Sequence, residues 1–297
     1  MDRTLSVGMA MMLATGTPAL VRAQGHHGVP PGQAKRIGAP HGSSSNAPVA
    51  DVRLRMFGVW LDDATMLPQH AAWLTLSISR WLSPGASGID APVMDFSAAV
   101  MRRVQVSATV PYYRATDQSS STFRGFGDLY VGSKVLLWDP GAHRVGVATA
   151  PTVEVLNTVP LDSAAGDPGR VNWVLPLCVE MDRRGYRAYG TVGYFSKGAV
   201  FVAGAFERTL TERLAVTGSL THSRSTDDQA VSEAIGLSTQ RTDASGGAMF
   251  RLSPTLNLFG SVGRTLSRMD YDSSRLALSV GMSMSLVGPV ARPRGRP

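Results

Sequence analysis

The chain has 297 residues, of which 17% are charged, and its formal net charge is +7. Soluble domains carry about a quarter of charged residues, and the mean hydropathy of +0.01 excludes a bundle of apolar membrane helices. The basic residues are scattered without a long Lys/Arg run, which argues against a nucleic-acid partner. The single cysteine, Cys178, excludes an internal disulfide.

The first residues have the features of an export signal. A short polar start precedes an apolar stretch over residues 5–20, and small residues at positions 21 and 23 suit signal peptidase. Pro18 interrupts a stretch that is already short for a membrane-spanning helix. We therefore predict a signal peptide over residues 1–23, cleaved before Gln24.

Residues 24–70 form the next predicted segment, a flexible periplasmic leader. Its first part, residues 24–50, is rich in Gly, Pro, Ser and His and has too few apolar side chains to offset the entropy of ordering. The second part, residues 51–70, contains Phe57 and Trp60. It is predicted to form either one strand or an internal plug, and the pattern leaves both open.

From Ala71 onward the hydrophobic pattern has a period of two. Every second residue between 276 and 286 is large and apolar, and the residues between them are Ala, Ser or Gly. The same alternation occurs over 104–112, 145–155 and 171–182. It is typical of strands with one face on hydrocarbon and one on a polar interior. Strands of this length exceed the roughly five or six residues usual in soluble sheets.

The connections between these strands are alternately short and long. Short turns follow strands that end near Met101, Trp138, Asp182, Arg208 and Leu252. Longer polar connections are expected at 83–90, 114–126, 157–170, 226–242 and 267–274, with a short one near Lys197. Periplasmic turns and external loops of a transmembrane barrel produce this pattern.

The fold class that follows is all-β: an antiparallel up-and-down transmembrane β-barrel of about twelve strands over residues 71–287, with fourteen strands left open. An even count places both barrel ends on the periplasmic side, where a basic tail, residues 288–297, follows. A secreted soluble β-sandwich is the alternative, since its strands also alternate. Aromatic residues near predicted strand ends suggest an interfacial girdle: Trp73, Trp81, Tyr112, Tyr113, Trp138, Trp173 and Phe195.

One stretch adds a family resemblance. Residues 125–134 read Gly-Phe-Gly-Asp-Leu-Tyr-Val-Gly-Ser-Lys and lead into an apolar strand and an Asp-Pro-Gly turn. Together with the Val-Pro-Tyr-Tyr sequence at 110–113, this resembles the outer-membrane barrels of the MetA-pathway phenol-degradation family. The resemblance spans about residues 71–287. It implies a transporter-like barrel, sometimes associated with uptake of aromatic or other hydrophobic compounds.

The alternation also assigns charged residues to the lumen, because a charge facing lipid costs up to about 2–4 kcal/mol at the bilayer midplane. These residues either fill the interior with ion pairs or line a selective path, and both remain open. The predicted lumen-lining residues are Asp128, Lys134, Arg144, Glu154, Glu180, Asp182, Arg187 and Glu207.

Catalytic and metal chemistry find little support in the sequence. Outer-membrane phospholipases use a His-x-Ser pair, but the residue two positions after His222 is Arg224. The leader histidines and methionines could bind a soft metal such as copper, but they have no fixed ligand spacing. We therefore predict no catalytic residue, no metal site and no cofactor.

The predicted function is a passive channel or transporter component for small solutes, with hydrophobic or aromatic ones favoured. The alternatives are a structural barrel or adhesin without transport, and a lipid-modifying outer-membrane enzyme. The expected location is the bacterial outer membrane. The expected partners are outer-membrane lipid, a small-molecule permeant and the barrel assembly machinery, with no nucleic acid.

Overall fold

The computed structural model describes residues 61–117, 120, 122–139, 145–155, 171–183, 185–196, 198–225, 239–267, 269 and 273–287. The predicted signal peptide, the leader as far as residue 60 and the basic tail lie outside these described residues. The elements in the described ranges are the β-strands β1 Ala71–Leu82, β2 Ala86–Met101, β3 Val104–Asp117, β4 Thr122–Phe126, β5 Leu129–Trp138, β6 Val145–Thr149, β7 Thr152–Val155, β8 Val171–Arg183, β9 Tyr186–Phe195, β10 Ala199–Thr209, β11 Leu214–Ser225, β12 Gln240–Ser253, β13 Leu256–Thr265 and β14 Leu276–Val287.

All strand pairings are antiparallel, and the sheet closes on itself where β1 pairs with β14, from Ala71 opposite Val287 to Leu82 opposite Leu276. Two barrel strands are each divided into two segments. β4 and β5 both pair with β3, and β6 and β7 both lie between β5 and β8. The fold is therefore a closed barrel of twelve strands, which confirms the predicted fold class and decides against fourteen.

Proline explains one of these divisions. The sequence predicted a continuous strand over 145–155, but Pro151 has no N–H for the ladder, and the structure separates β6 from β7 at Ala150 and Pro151. The Pro151 carbonyl still accepts a hydrogen bond from the Ser133 N–H at 3.0 Å, and the Ala150 N–H donates to the Pro176 carbonyl at 3.4 Å. Backbone hydrogen bonds to β5 and β8 are therefore kept at the break between β6 and β7.

The predicted alternation of faces is confirmed. In β14 the side chains of Leu278, Val280 and Met282 are exposed on the outside, whereas Ser279 and Ser283 are buried inside the barrel. Strand β8 repeats the pattern with an exposed apolar face and a buried polar one. This inverted distribution suits a protein whose solvent is hydrocarbon. No helix in the described part of the chain is long and apolar enough to cross a membrane.

The predicted aromatic girdle is only partly correct. Tyr112 and Trp173 face outward, as does Trp138. Trp73 and Trp81 point into the barrel instead, because they share the inward register of the buried Thr75, Ser77 and Ser79 in β1. Two further residues do not belong to the girdle. Tyr113 is buried, and Phe195 packs against Val174 and Phe201. Proximity to a strand end predicted the girdle, but side-chain register decides it.

Two of the predicted long connections are wrong. The connection expected at 83–90 is a tight turn, because the Ser83 N–H donates to the Ala86 carbonyl at 2.8 Å and β2 begins at that residue. The Gly-, Asp- and Pro-containing residues that suggested a loop continue the strand through a register shift between Asp90 and Val93. Similarly, β3 extends to Asp117 and β4 begins at Thr122, which shortens the connection expected at 114–126. The connection at 157–170 lies outside the described residues.

The remaining connections orient the barrel. The longest ones, 156–170, 226–239 and 266–275, all join strands at the same end, whereas the opposite end has two-residue turns at 102–103 and 254–255. External loops are the longer ones in outer-membrane barrels. We therefore assign the end that carries the long connections to the extracellular side, which places the start of β1 at the periplasmic end.

We expect an arginine on the outer face to be tolerated near the membrane interface but not near the midplane. Met282 is central in β14 and lies opposite Leu76 and Leu258, whereas Leu278 lies opposite Arg80 near the extracellular end. The cost of an outward arginine falls from about 2–4 kcal/mol at the midplane to about 0–1 kcal/mol near the interface. Met282→Arg should therefore abolish most folded barrel in outer membranes, and Leu278→Arg should not, as measured by the heat-modifiable fraction on gels. Equal losses of folded barrel in the two variants would contradict the depths assigned to Met282 and Leu278 in the membrane.

A second prediction concerns the close approach of an aromatic ring to a glycine. A Cβ added to Gly281 would lie 2.5 Å from Phe259 Cζ and 2.6 Å from the Leu76 carbonyl oxygen, whereas one added to Gly218 would meet nothing within 4 Å. Gly281→Ala should lower the free energy of unfolding by about 1–3 kcal/mol, the usual cost of overpacking. Gly218→Ala should change it by about 0.5 kcal/mol or less. Urea unfolding in liposomes measures both, and equal midpoints would disprove the contact.

Candidate functional site

A short non-strand segment, residues 61–67, lies inside the barrel; we name it the inner segment. The Asp62 N–H donates to Thr191 Oγ1 at 2.8 Å, and the Thr191 hydroxyl donates to the Asp62 carbonyl at 2.9 Å. At the other end of the segment, the Leu67 N–H donates to Gln105 Oε1 at 3.2 Å. Its apolar side chains pack on the wall, with Ala64 and Met66 in one cluster with Leu136 and Ala148. The inner segment is therefore held to two separate parts of the lumen wall, on β9 and on β3.

Asp63 is the centre of the charged contacts between the inner segment and the wall. One of its carboxylate oxygens lies 2.8 Å from Lys134 Nζ on β5, and the other lies 2.8 Å from Arg187 Nη1 on β9. Lys134 Nζ also lies 2.8 Å from Asp62 Oδ1. All four side chains are nearly inaccessible to water. Hydrogen-bonded ion pairs of this kind compensate charges that have been removed from water.

Arg187 joins this group to two wall carboxylates. Its Nη2 donates to Glu207 Oε2 at 2.8 Å, and its Nη1 lies 3.5 Å from Glu180 Oε1. The guanidinium also lies over the Tyr189 ring, 4.5 Å from the centroid, a favourable cation–π arrangement. Glu180 Oε2 in turn accepts hydrogen bonds from the Ala64 N–H at 3.1 Å and from the Thr65 hydroxyl. We use the name lumen cluster for six side chains: Asp62, Asp63, Lys134, Glu180, Arg187 and Glu207.

The formal charges of the lumen cluster show what the inner segment contributes. The wall supplies two cations, Lys134 and Arg187, and two carboxylates, Glu180 and Glu207, so it is neutral by itself. The inner segment adds the carboxylates of Asp62 and Asp63, which are the ion-pair partners of Lys134. Removal of the inner segment would therefore leave Lys134 without these two partners. The inner segment thus supplies carboxylate partners to the wall cations, and the whole cluster has two more carboxylates than cations.

Four predicted lumen residues meet in this cluster: Lys134, Glu180, Arg187 and Glu207. Glu154 is also buried but belongs to a separate group, where it accepts hydrogen bonds from the Tyr130 hydroxyl and Asn172 Nδ2, each at 2.8 Å. The other predicted residues do not form part of the cluster. Asp128 is buried between β4 and β5, Asp182 is half-exposed near the periplasmic end of β8, and Arg144 lies outside the described residues.

Sequence reasoning missed Asp62 and Asp63. Both carboxylates lie outside the alternating strands, and a single sequence does not show that a residue of the leader meets β5 and β9. The one available signal was a pair of adjacent aspartates directly before a short stretch that contains Ala64, Met66 and Leu67. Such a pair in a segment that can enter a lumen is a candidate partner for the predicted inward cations.

The lumen wall has a second, apolar side. One cluster joins Trp73 and Trp81 of β1, Tyr113 of β3, Met249 of β12 and Phe259 of β13. The lumen cluster instead uses side chains from β5, β8, β9 and β10. Leu67 of the inner segment packs in the apolar cluster, so the segment contacts both sides. The lumen therefore has aromatic rings among buried serine, threonine and aspartate side chains on one side and the ion-paired lumen cluster on the other.

The His222 region was weighed above as a possible hydrolase. His222 Nδ1 lies 2.9 Å from Thr242 Oγ1, and the residue shares the outward register of the exposed Leu220 and Arg224. Ser223 follows it directly in β11 and points to the opposite face, as successive strand residues do. The two side chains are therefore not placed as a nucleophile and base. Within the described residues, no group of three or more His, Cys, Asp or Glu is arranged to hold a metal ion.

Comparison with known proteins supports the fold. No protein-family model and no curated protein sequence matches the chain. An outer membrane channel from Pseudomonas putida F1 aligns with a TM-score of 0.56 and 11% identity, covering 77% of this chain and 100% of the other. The NanC porin aligns with a TM-score of 0.52 and 9% identity, covering 72% and 100%.

At these identities the likeness shows the fold alone, which is that of outer-membrane β-barrels. Together with the apolar outer face, it places the chain in the bacterial outer membrane, as predicted. The resemblance to the MetA-pathway family stays a prediction.

We expect loss of Arg187 to destabilise the barrel far more than loss of an arginine near the rim. Arg187→Gln leaves Asp63, Glu180 and Glu207 together without their shared cation, which should cost about 3–5 kcal/mol. The matched control is Arg241→Gln, which breaks a more exposed pair with Asp243 at 2.9 Å and should cost less, because the carboxylate left behind is nearer to water. Urea unfolding monitored by gel mobility compares the two variants.

A second substitution tests whether the loss comes from unbalanced charge. Glu207→Gln added to Arg187→Gln removes one of the three carboxylates that Arg187 contacts and should recover part of the lost stability. If Arg187→Gln and Arg241→Gln unfold at the same urea concentration, the lumen cluster has no special role in stability.

Proposed function

We propose that the protein is a passive outer-membrane channel for small solutes and that the inner segment narrows its lumen. The observation that carries this proposal is a closed barrel whose interior holds a non-strand segment attached to the wall mainly by side chains. In the described residues, ion pairs and side-chain hydrogen bonds join residues 61–67 to the strands, and no strand ladder includes them. Displacement of the segment would therefore break no backbone ladder of the barrel.

The polar groups of a solute could replace those of the inner segment. Lys134 and Arg187 bind the carboxylates of Asp62 and Asp63, so an anionic or hydrogen-bonding group would find the same donors. Channels conduct when binding sites on the path are favourable but exchangeable. Exchange between segment and solute is a physical route by which a packed lumen still passes molecules.

We further propose that hydrophobic or aromatic solutes with one polar group are favoured. The apolar region of the lumen contains indole, phenol and phenyl rings on β1, β3 and β13, and aromatic rings stack favourably on one another. The charged region on the other side accepts the polar group. The resemblance of residues 125–134 to a family associated with aromatic compounds points to the same solute class.

A structural barrel without transport is the second candidate. The observation that favours it is the near-complete burial of the lumen cluster, which leaves that level of the lumen filled by protein. In this alternative the ion pairs are permanent and act only to fill the interior. The two candidates differ in one measurable property, the passage of ions or solutes through the isolated barrel.

The test is single-channel conductance in planar bilayers, with a variant that weakens the inner segment. Asp62→Asn with Asp63→Asn keeps the side-chain size but removes both carboxylates that hold Lys134 and Arg187. We expect the wild-type protein to show small or brief conductance steps and the double variant to show larger or longer openings. The matched control is Asp243→Asn, which alters a different ion pair and should behave as wild type.

Solute passage is measured by swelling of liposomes that contain the same proteins. Faster swelling with a small phenolic solute than with a sugar of similar mass would support the proposed solute class. No conductance and no swelling with either the wild-type protein or the double variant would contradict the channel and favour the structural barrel.

A further inference from the structure

Arginine side chains form a row on the outer face of the barrel near its extracellular end. Arg80 of β1 lies opposite Ile89 of β2, Ile89 lies opposite Arg114 of β3, and Arg114 lies opposite Arg124 of β4. Directly opposed residues of antiparallel strands project to the same face, and all three arginines are exposed. The row therefore crosses four neighbouring strands.

Arg114 and Arg124 lie at the boundary of the apolar outer surface. Two residues further toward the periplasm, Tyr112 and Phe126 form an outward edge-to-face aromatic pair with ring centroids 5.5 Å apart. On β1 the residue at the corresponding step is the exposed Ile78. Aromatic side chains mark the membrane interface in such barrels. Arg114 and Arg124 thus lie just outside the hydrocarbon, beside the headgroups of the outer leaflet.

Arg114 and Arg124 are like charges in direct opposition, with Cβ atoms about 4.5–5.5 Å apart in such pairs. Opposed like charges destabilise a sheet. Among the described residues, neither guanidinium has an ion-pair or hydrogen-bond partner. The buried Arg187, in contrast, has carboxylates on two sides. An anion between Arg114 and Arg124 would remove this repulsion.

We propose that Arg80, Arg114 and Arg124 bind the phosphate groups of lipid A, the anchor of lipopolysaccharide in the outer leaflet. The planar guanidinium donates paired hydrogen bonds that match phosphate oxygens. Lipid A has phosphates above several acyl chains. Its phosphates can bind the arginines while its acyl chains cover the apolar side chains on the periplasmic side of the row. A soluble phosphate would use the arginines alone and leave that apolar surface unaffected.

The experiment titrates the purified full-length barrel in detergent with bisphosphorylated lipid A and follows its thermal unfolding midpoint. Arg114→Gln with Arg124→Gln should weaken lipid A binding by about tenfold or more, as expected from loss of two basic groups at an anionic lipid surface. Without lipid A, this double variant should unfold at the same temperature as wild type or higher, because the opposed charges are gone.

Two control variants localise the effect. Arg208→Gln removes an exposed arginine near the periplasmic end of β10, where it lies opposite Tyr186 and Val216. Arg224→Gln removes one near the extracellular end of β11, where it lies opposite Val200 and Gln240 and has no second arginine across from it. Both variants should bind lipid A as wild type does.

Dephosphorylated lipid A and inorganic pyrophosphate distinguish the source of the anion. The proposal expects neither of them to raise the unfolding midpoint of the wild-type protein as lipid A does. It is overturned if the double variant binds lipid A as tightly as wild type, or if dephosphorylated lipid A binds equally well. It is also overturned if pyrophosphate produces the same shift, since that result indicates a soluble-anion site. A double variant less stable than wild type without lipid would contradict the opposed-charge argument.

Discussion

The closure of β1 on β14 is the constraint on which the rest of the molecule depends. Hydrocarbon offers no hydrogen-bond partner to backbone N–H and C=O groups, so a sheet that crosses a membrane must have no open edge there. The pairing from Ala71 opposite Val287 to Leu82 opposite Leu276 meets this requirement along the full length of both strands. The two divided strands are compatible with closure. β6 and β7 each pair with both β5 and β8, and β4 pairs with β3 and leads directly into β5, which has partners on both sides.

Closure also decides where charge resides. Outward positions in the spanning region are limited to apolar side chains, so the charged residues of the strands collect in a narrow interior. There the penalty for an unpaired charge is high, and each charge requires a partner within a few ångströms. Asp63 answers this requirement for two cations from different strands at once, with contacts of 2.8 Å to Lys134 and Arg187. Residues of the leader thereby take part in the charge pairing of the barrel interior.

Much of the fold could be predicted because a single physical rule, alternation between lipid and lumen, repeats in every strand. The ends of β1 and β14 and the inward positions of Glu180, Arg187 and Glu207 follow from that rule. It failed where the chain departs from regular pairing. Residues 86–90 contain turn-forming types yet extend β2, since Ser83 closes the turn earlier, and Trp73 and Trp81 follow register and not their distance from a strand end.

An internal plug was one of two predictions for residues 51–70, but the contacts of the inner segment could not be predicted from the sequence for a different reason. Residues 61–67 have no period, and the contact between Asp63 and Arg187 joins positions 124 residues apart. Only the closed barrel brings them together. A local pattern predicts which face a side chain occupies, but the partner across a lumen depends on the order of strands around the whole circumference.

The arginines show how the same side chain has two roles that depend on which side of the wall it occupies. Arg187 is inside, and the protein itself supplies Asp63, Glu180 and Glu207 as counter-charges. Arg114 is outside at the interface and faces a second arginine, Arg124. The chain places carboxylates beside its internal cations but places these two external arginines side by side, next to the lipid headgroups. We therefore expect Arg114 and Arg124 to find their counter-charge in the anionic headgroups of the surrounding lipid.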